Sequence, residues 1–205
     1  MFRALITDFG GVLVRIGDDA SRRALEAHLG MPPHTIEDCV FSGDASLRAQ
    51  LGEMSYDAFW DQIGIDLKLD GRMRVAEFRN RFFGGDFLDQ DLMALIRSVR
   101  PAIKTALISN AWSNARQVFT DTFPIADAFD TIVISAEEKV MKPDPRIYRI
   151  ALERLGVPAT ESIFVDDVLD NVRGAQALGM RGVHFQSTQQ TQRAIKQLLG
   201  LASGL

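Results

Sequence analysis

Apolar positions along the chain fall into two spacings. Short unbroken runs at residues 2–7, 103–109, 131–135, 162–165 and 181–185 predict strands buried on both faces. Between them the spacing lengthens. Leu92, Leu95, Ile96 and Val99 share one helical face, as do Ile147, Ile150, Ala151 and Leu155, and as do Ala194, Ile195, Leu198 and Leu199. Pro143 and Pro145 suit the first turn of the second of these helices, and Gly156 suits its stop. Strands alternating with helices predict βα units and a parallel sheet covered on both faces. From about residue 18 to residue 85 the pattern is helical only, with amphipathic stretches at 20–29, 35–42, 55–63 and 72–82 and no convincing strand. Gly30, Pro32, Pro33, Gly43, Gly52 and Gly71 mark the turns. This segment leaves after the first strand and returns before the second, so it belongs above the sheet edge where the strands end. The expected organisation is an α/β core of residues 1–16 and 86–205 carrying an α-helical insert of residues 17–85.

Composition narrows the partners. The 205 residues are 46% hydrophobic and 24% charged, the balance of an ordinary globular protein. Lys and Arg number 23 against 27 Asp and Glu, a net charge of -4, so no basic stripe offers itself to nucleic acid. Cys39 is the single cysteine and has no internal disulfide partner. The first apolar run is cut at Asp8, and no stretch approaches the ~18 apolar residues of a membrane span. The expectation is a cytoplasmic protein with no membrane and no nucleic-acid partner; the oligomeric state is not encoded legibly.

In open α/β sheets, ligands bind outside the carboxyl ends of the strands. Those ends are polar here. The first run is followed by Asp8-Phe9-Gly10-Gly11-Val12, the second closes on Ser109-Asn110, Lys142-Pro143-Asp144-Pro145 follows the third, and Asp166-Asp167 follows the fourth. If the strands are parallel, three carboxylates, a hydroxyl and an ammonium converge. Carboxylates gathered that closely repel unless a cation joins them, and hard oxygen ligands point to Mg²⁺. A lysine and a serine hydroxyl complete a phosphoryl clamp, in which an aspartate can act as nucleophile.

These four motifs, in this order, resemble those of the haloacid dehalogenase-like (HAD) superfamily of phosphohydrolases. The resemblance spans nearly the whole chain, and Asp166-Asp167-Val168-Leu169-Asp170-Asn171 with Gly174-Ala175 fits the last motif closely. It implies a Rossmann-like parallel-sheet core with a small inserted α-helical cap. It also implies that Asp8 attacks phosphorus to form an aspartyl-phosphate, that Ser109, Asn110 and Lys142 bind the substrate's phosphoryl group, and that Asp8, the Gly10 carbonyl, Asp166 and Asp167 hold Mg²⁺. Asp170 either supports the metal or merely faces the helix dipole.

One departure bears on the chemistry. Most phosphatases of the family carry a second aspartate two residues after the nucleophile, as general acid and base; here that place is Gly10. A subgroup that begins Asp-x-Gly, alpha-glucose-1-phosphate phosphatase among it, resembles this chain and is still phosphatase-like. The resemblance therefore implies Mg²⁺-dependent hydrolysis of a small phosphorylated metabolite, with sugar phosphates favoured. The missing proton carrier disfavours mutase chemistry and leaves Asp18, Asp19 or the substrate's own hydroxyls as substitutes. The alternative is a catalytically impaired member that binds a phosphorylated ligand or partner. A metal-free 2-haloacid dehalogenase also lacks the second aspartate, but it has no use for Asp166-Asp167. Lys139 stands where relatives commonly carry glycine, placing a second cation near the site or in solvent.

Other residues have plainer readings. Ser109-Asn110 suit the cap of a helix starting near Trp112 as well as a phosphate. Asn171 reads as structural. His28, His34 and His184 share no metal-like spacing and read as surface or packing residues. Cys39 reads as an apolar filler. Phe59, Trp60, Phe78, Phe82 and Phe83 read as the insert's core, with one or two lining the substrate pocket, while Trp112 reads equally as a contact to the leaving group or as packing beneath the insert. Arg72, Arg74, Arg79 and Arg81 read as a solvated face.

Overall fold

The computed structural model describes residues 1–69 and 73–201. Five parallel strands, β1 (Ala4–Thr7), β4 (Lys104–Ser109), β5 (Thr131–Ile134), β6 (Ser162–Asp166) and β7 (Arg181–His184), form one sheet in the order β5-β4-β1-β6-β7. The parallel-sheet expectation is borne out, and all five apolar runs are its strands. Side chains alternate across it. Leu5, Leu107, Ile163 and Val165 pack on one face with Leu92 and Ile96 of α6 (Gln90–Ser98) and Ile195 of α11 (Thr188–Leu199). Ala4, Ile6, Ala106, Ile108 and Phe164 pack on the other with Ile147, Tyr148 and Ala151 of α9 (Pro145–Leu155) and Ala175 of α10 (Leu169–Ala177). Register fixes the functional edge: Thr7 lies beside both Leu107 and Val165, so the residues following β1, β4 and β6 emerge together.

The chain leaves and re-enters this core through two three-residue strands, β2 (Val14–Ile16) and β3 (Asp86–Leu88). They pair antiparallel, with Arg15 opposite Phe87, and the Gly17 N–H extends the ladder to the Gly85 carbonyl. This ribbon was not expected, because three residues are too few to show a period of two. Between its strands lie α1 (Ala20–Leu29), α2 (Thr35–Glu37), α3 (Asp44–Gln50), α4 (Tyr56–Asp66) and α5 (Val75–Phe82), around a third apolar cluster that includes Leu25, Ile36, Phe59, Ile63, Phe78 and Phe82.

The helices of the insert differ from expectation in detail. The stretch at 35–42 is a single turn, α2, followed by a wider π turn at Asp38–Ser42, so it is not one regular helix. Helix α3 was not expected, being seven residues directly after Gly43, which reads as a stop. The last insert helix is described from Val75 on; Gly71 and Arg72 lie outside the described residues. In the core, two short helices, α7 (Ala115–Gln117) and α8 (Ser135–Glu138), follow β4 and β5. Asp144 caps α9 by accepting the Arg146 N–H at 2.9 Å, Pro145 is its first residue, and Gly156 ends it at φ 64°. Pro143 precedes the cap rather than entering the first turn.

Asp89 ties the ribbon to both helices of its face. Its carboxylate caps α6 through the Leu92 N–H at 2.9 Å, pairs with Arg15 of β2 at 2.8 Å and accepts the Thr188 hydroxyl of α11. Burial pushes its carboxyl up, but the bonds from Thr188, the Leu92 N–H and Arg15 outweigh this and hold it below the usual range. Such a group stabilises the fold above the unfolded-chain pKa of about 3.9, and loses that contribution as pH falls through its lower folded value. Asp89→Ala should cost about 2–3 kcal/mol at pH 7, from a lost cap and a stranded Arg15. Urea midpoints measured from pH 7 to pH 2.5 should show the gap between the proteins closing below pH ~4.

Candidate active site

Asp8 is the first residue beyond β1, with its N–H bonded to the Val165 carbonyl of β6 at 2.9 Å. Its carboxylate accepts the Phe9 N–H at 2.7 Å and lies 2.7 Å from the Lys142 ammonium. Lys142 is almost wholly buried and also reaches Asp166 at 2.7 Å. One ammonium thus sits between two buried carboxylates. Asp167 completes an acidic group with Asp8 and Asp166, one oxygen from each lying within 4.8 Å of the others.

Backbone and neighbours hold each member in place. The Asn110 amide brackets Lys142, accepting its N–H at 2.8 Å and donating to its carbonyl at 3.0 Å. Asp166 accepts the Val168 N–H at 2.8 Å and the Asn171 amide at 3.1 and 3.2 Å. Asn171 is itself buried, and its carbonyl accepts the Tyr148 hydroxyl at 2.8 Å. The His184 ring bonds the Asp167 carbonyl at 2.9 Å. Gly11, at φ 74°, leaves room for the Asp167 carboxylate, since a Cβ there would fall 2.1 Å from its oxygen. Gly174 allows α10 to close on the Lys142 loop, where a Cβ would meet the Pro143 carbonyl at 2.8 Å.

The electrostatics are those of excess buried negative charge. Burial, with Asp166 and Asp167 alongside, pushes Asp8 up to about 7 against the pull of Lys142. Asp167 is also raised, by burial and then by Asp166. Burial works against the Lys142 ammonium, yet Asp8 and Asp166 hold its pKa above the ordinary lysine value. Three carboxylates against one ammonium leave room for a further positive charge. An all-oxygen set with this imbalance fits a hard divalent cation of the size and chemistry of Mg²⁺.

A cavity of about 1030 Å³ lies beside this cluster, lined by the residues that directly follow Asp8 rather than by the cluster's own side chains. Its floor includes Phe9, Gly10, Gly11, Ser109 and Asn110, and its insert side includes Phe41, Tyr56, Arg79 and Phe83. Trp112 joins the two, stacking on Phe59 at 4.7 Å and donating from its indole N–H to Ser46 at 3.4 Å.

The structure therefore brings Asp8, Gly10, Ser109, Asn110, Lys142, Asp166 and Asp167 to one sheet edge. It leaves others out. Asp170 is exposed and paired with Arg173 at 3.1 Å. Asp18 accepts the Ala20 N–H and Asp19 pairs with Arg23, so neither stands at the cavity wall as a substitute acid. Ser109-Asn110 cap no helix, because α7 starts only at Ala115, preceded by Asn114. His28 and His34 are exposed, Cys39 is half-buried against the insert's cluster, and Lys139 is exposed at φ 54°, where glycine is easily accommodated. Arg79, read as part of a solvated face, instead lines the cavity over the Tyr56 ring. The roles of Asn171 and His184 were missed. Only the nearness of Asn171 to the paired aspartates hinted at its bond to Asp166.

The family model for haloacid dehalogenase-like hydrolases matches residues 2–179. The chain belongs to that family. This HAD-like hydrolase is 28% identical over 200 residues to the sesquiterpene phosphatase astK of Aspergillus oryzae, covering 97% of both chains. It is 28% identical over 188 residues to a D-ribitol-5-phosphate phosphatase of Bacteroides thetaiotaomicron, covering 87% of this chain and 89% of that one. Its fold matches a HAD family enzyme of B. thetaiotaomicron, solved with magnesium and inorganic phosphate, at a TM-score of 0.75 and 22% identity over 92% of this chain and 96% of that one. Among the described residues, no helix is long and apolar enough to cross a membrane.

Replacing Gly11 tests the acidic cluster directly. Gly11→Ala should destabilise the fold by about 1–3 kcal/mol through its positive φ. If the acidic cluster holds Mg²⁺, the wild-type Tm should rise with the metal, and by displacing Asp167 the substitution should abolish that rise. Thermal unfolding across a Mg²⁺ titration reads both effects, and an undiminished rise would remove Asp167 from the metal site.

Proposed function

We propose that this hydrolase cleaves phosphomonoesters with Mg²⁺ through an aspartyl-phosphate on Asp8. The observation that supports it is the acidic group of Asp8, Asp166 and Asp167, crossed by Lys142 at 2.7 Å, beside a large cavity whose lining includes the Phe9-Gly10-Gly11 segment that directly follows Asp8. Asp8 is placed to attack phosphorus as the ester oxygen leaves on the opposite side, and water then cleaves the acyl-phosphate and restores the carboxylate. Lys142 and the Ser109 hydroxyl hold phosphoryl oxygens, while Asn110 acts through Lys142, whose backbone it brackets. Bound to Asp8, Asp166, Asp167 and the Gly10 carbonyl, Mg²⁺ would offset the charge of nucleophile and phosphate, which otherwise repel each other. We assign residues 17–85 the part of a cap that roofs the cavity and keeps bulk water from the phosphoryl group.

The preference for sugar phosphates draws support only from the Asp-x-Gly resemblance. The two relatives named above differ widely in the polarity of the molecules in their names. A second reading, a binding protein with little turnover, is favoured by Gly10. At that position the usual proton carrier is absent, although a Cβ would meet nothing within 4 Å.

Phosphate release should require Mg²⁺, stop with chelator and fall by at least about 10³-fold in Asp8→Asn, as expected for loss of a nucleophile. Phosphate analogues bound without any release from a broad ester panel would establish the binding protein instead. If nothing replaces the missing acid, aryl phosphates with weakly basic leaving groups should turn over far faster than alkyl phosphates. Because the space beside Gly10 is open, Gly10→Asp should narrow that gap by raising alkyl phosphate turnover by about 10²-fold or more. Equal rates on both esters in the wild-type protein would mean that another group already supplies the proton.

A further inference from the structure

The cavity's volume and lining carry information about the leaving group that the acidic cluster does not. At about 1030 Å³ it stands at the upper end of the ~300–1000 Å³ usual for pockets that enclose drug-sized ligands. Its walls are aromatic. Phe41, Tyr56, Phe83 and Trp112 line the insert side, and Phe119 and Phe123 continue the surface beyond Phe9, at ring distances of 4.7 and 6.0 Å from it.

Several of the polar groups in these walls are committed to the protein. Arg22 gives its donors to the Phe82 carbonyl, Glu37 and Asp86, between the rings of Phe41 and Phe82. The Gln50 amide donates to the Phe41 carbonyl and the Ser46 hydroxyl. Asn110 is taken by Lys142, and Arg15 by Asp89. Other polar lining, Arg79, Asn80, Gln117 and Asp121 among it, lies on partly or fully exposed surface. A polyol pushed between these walls would give up hydrogen bonds to water and find few replacements. An apolar chain would lose nothing and would remove aromatic surface from water.

We infer that the substrate is the monophosphate of an extended apolar alcohol, its phosphate on the acidic cluster and its chain between the Phe41–Trp112 and Phe9–Phe119 walls. This rests on the phosphomonoesterase reading and specifies its leaving group. It also gives Phe41 and Phe83 a part in specificity. Phe41 stacks on Trp112 yet stays 42% exposed, so it keeps aromatic surface available in the cavity wall.

The test compares three primary alkyl phosphates, whose leaving groups ask for similar chemistry: decyl phosphate below its micellar concentration, butyl phosphate and sorbitol phosphate. With Mg²⁺, kcat/KM should be at least tenfold higher for decyl than for either other ester, and the advantage should lie in KM. Phe41→Gln and Phe83→Gln should pull the decyl-to-butyl ratio towards one. Sorbitol phosphate turned over as well as or better than decyl phosphate would overturn the inference. Release from p-nitrophenyl phosphate, run alongside, reports on the phosphomonoesterase reading itself. If it too fails, calorimetric titration of the same three esters into the Mg²⁺-loaded protein decides the matter without turnover. Tenfold tighter binding of decyl phosphate supports the apolar site, and equal or weaker binding refutes it.

Discussion

Everything at the sheet edge is arranged around one lysine ammonium held between two buried carboxylates. Lys142 touches Asp8 and Asp166 at 2.7 Å each, almost without solvent. Removing charged groups from water is expensive, and such an array persists only where geometry and further hydrogen bonds compensate. The compensation is visible. Asn110 fixes the lysine's backbone, Val168 and Asn171 donate to Asp166, and Phe9 donates to Asp8. The strand register that puts Thr7 beside Leu107 and Val165, and Ser109 beside Ile134, serves the same arrangement, because it brings these residues from four strand ends to one place. Asp167 then leaves the array with surplus negative charge, which makes it a receptor for a cation rather than a closed salt bridge.

The other half of the site is built from a different force. The insert contributes much aromatic surface to the cavity, and two of its polar lining residues, Arg22 and Gln50, spend their donors on neighbouring protein groups. The protein thus separates two tasks. In the function proposed above, charge and oxygen ligands at the strand ends would take the phosphoryl group, and apolar surface from the helices would surround what is attached to it.

The strands and the acidic motifs were legible in the sequence because buried parallel strands read as unbroken apolar runs and functional residues follow their ends. The five runs differ from the observed strands by no more than two residues at either end. What could not be read was either too short or dependent on contacts distant in sequence. The β2–β3 ribbon has three residues per strand, and α3 covers seven positions after a glycine. Asn171 and His184 were underrated because their partners are a side chain and a carbonyl fixed only by the assembled sheet edge. Asp18 and Asp19 were overrated because proximity in sequence to the insert says nothing about which way a carboxylate turns.

Trp112 gives the two halves a mechanical relation. It belongs to the chain just after β4, yet its ring packs among Phe41, Phe59 and Trp60 of the insert. The insert is also carried on the two-stranded ribbon and rests on the core where α3 meets α8, with Gly52 tight against the Ala136 carbonyl, so bending about β2 and β3 would have to part that contact as well. Any such bending must draw an indole out of its stack and wet it, at roughly 25 cal/mol per Å² of apolar surface exposed. The seam between insert and core is therefore sealed in part by aromatic surface that would have to be wetted for the two to separate.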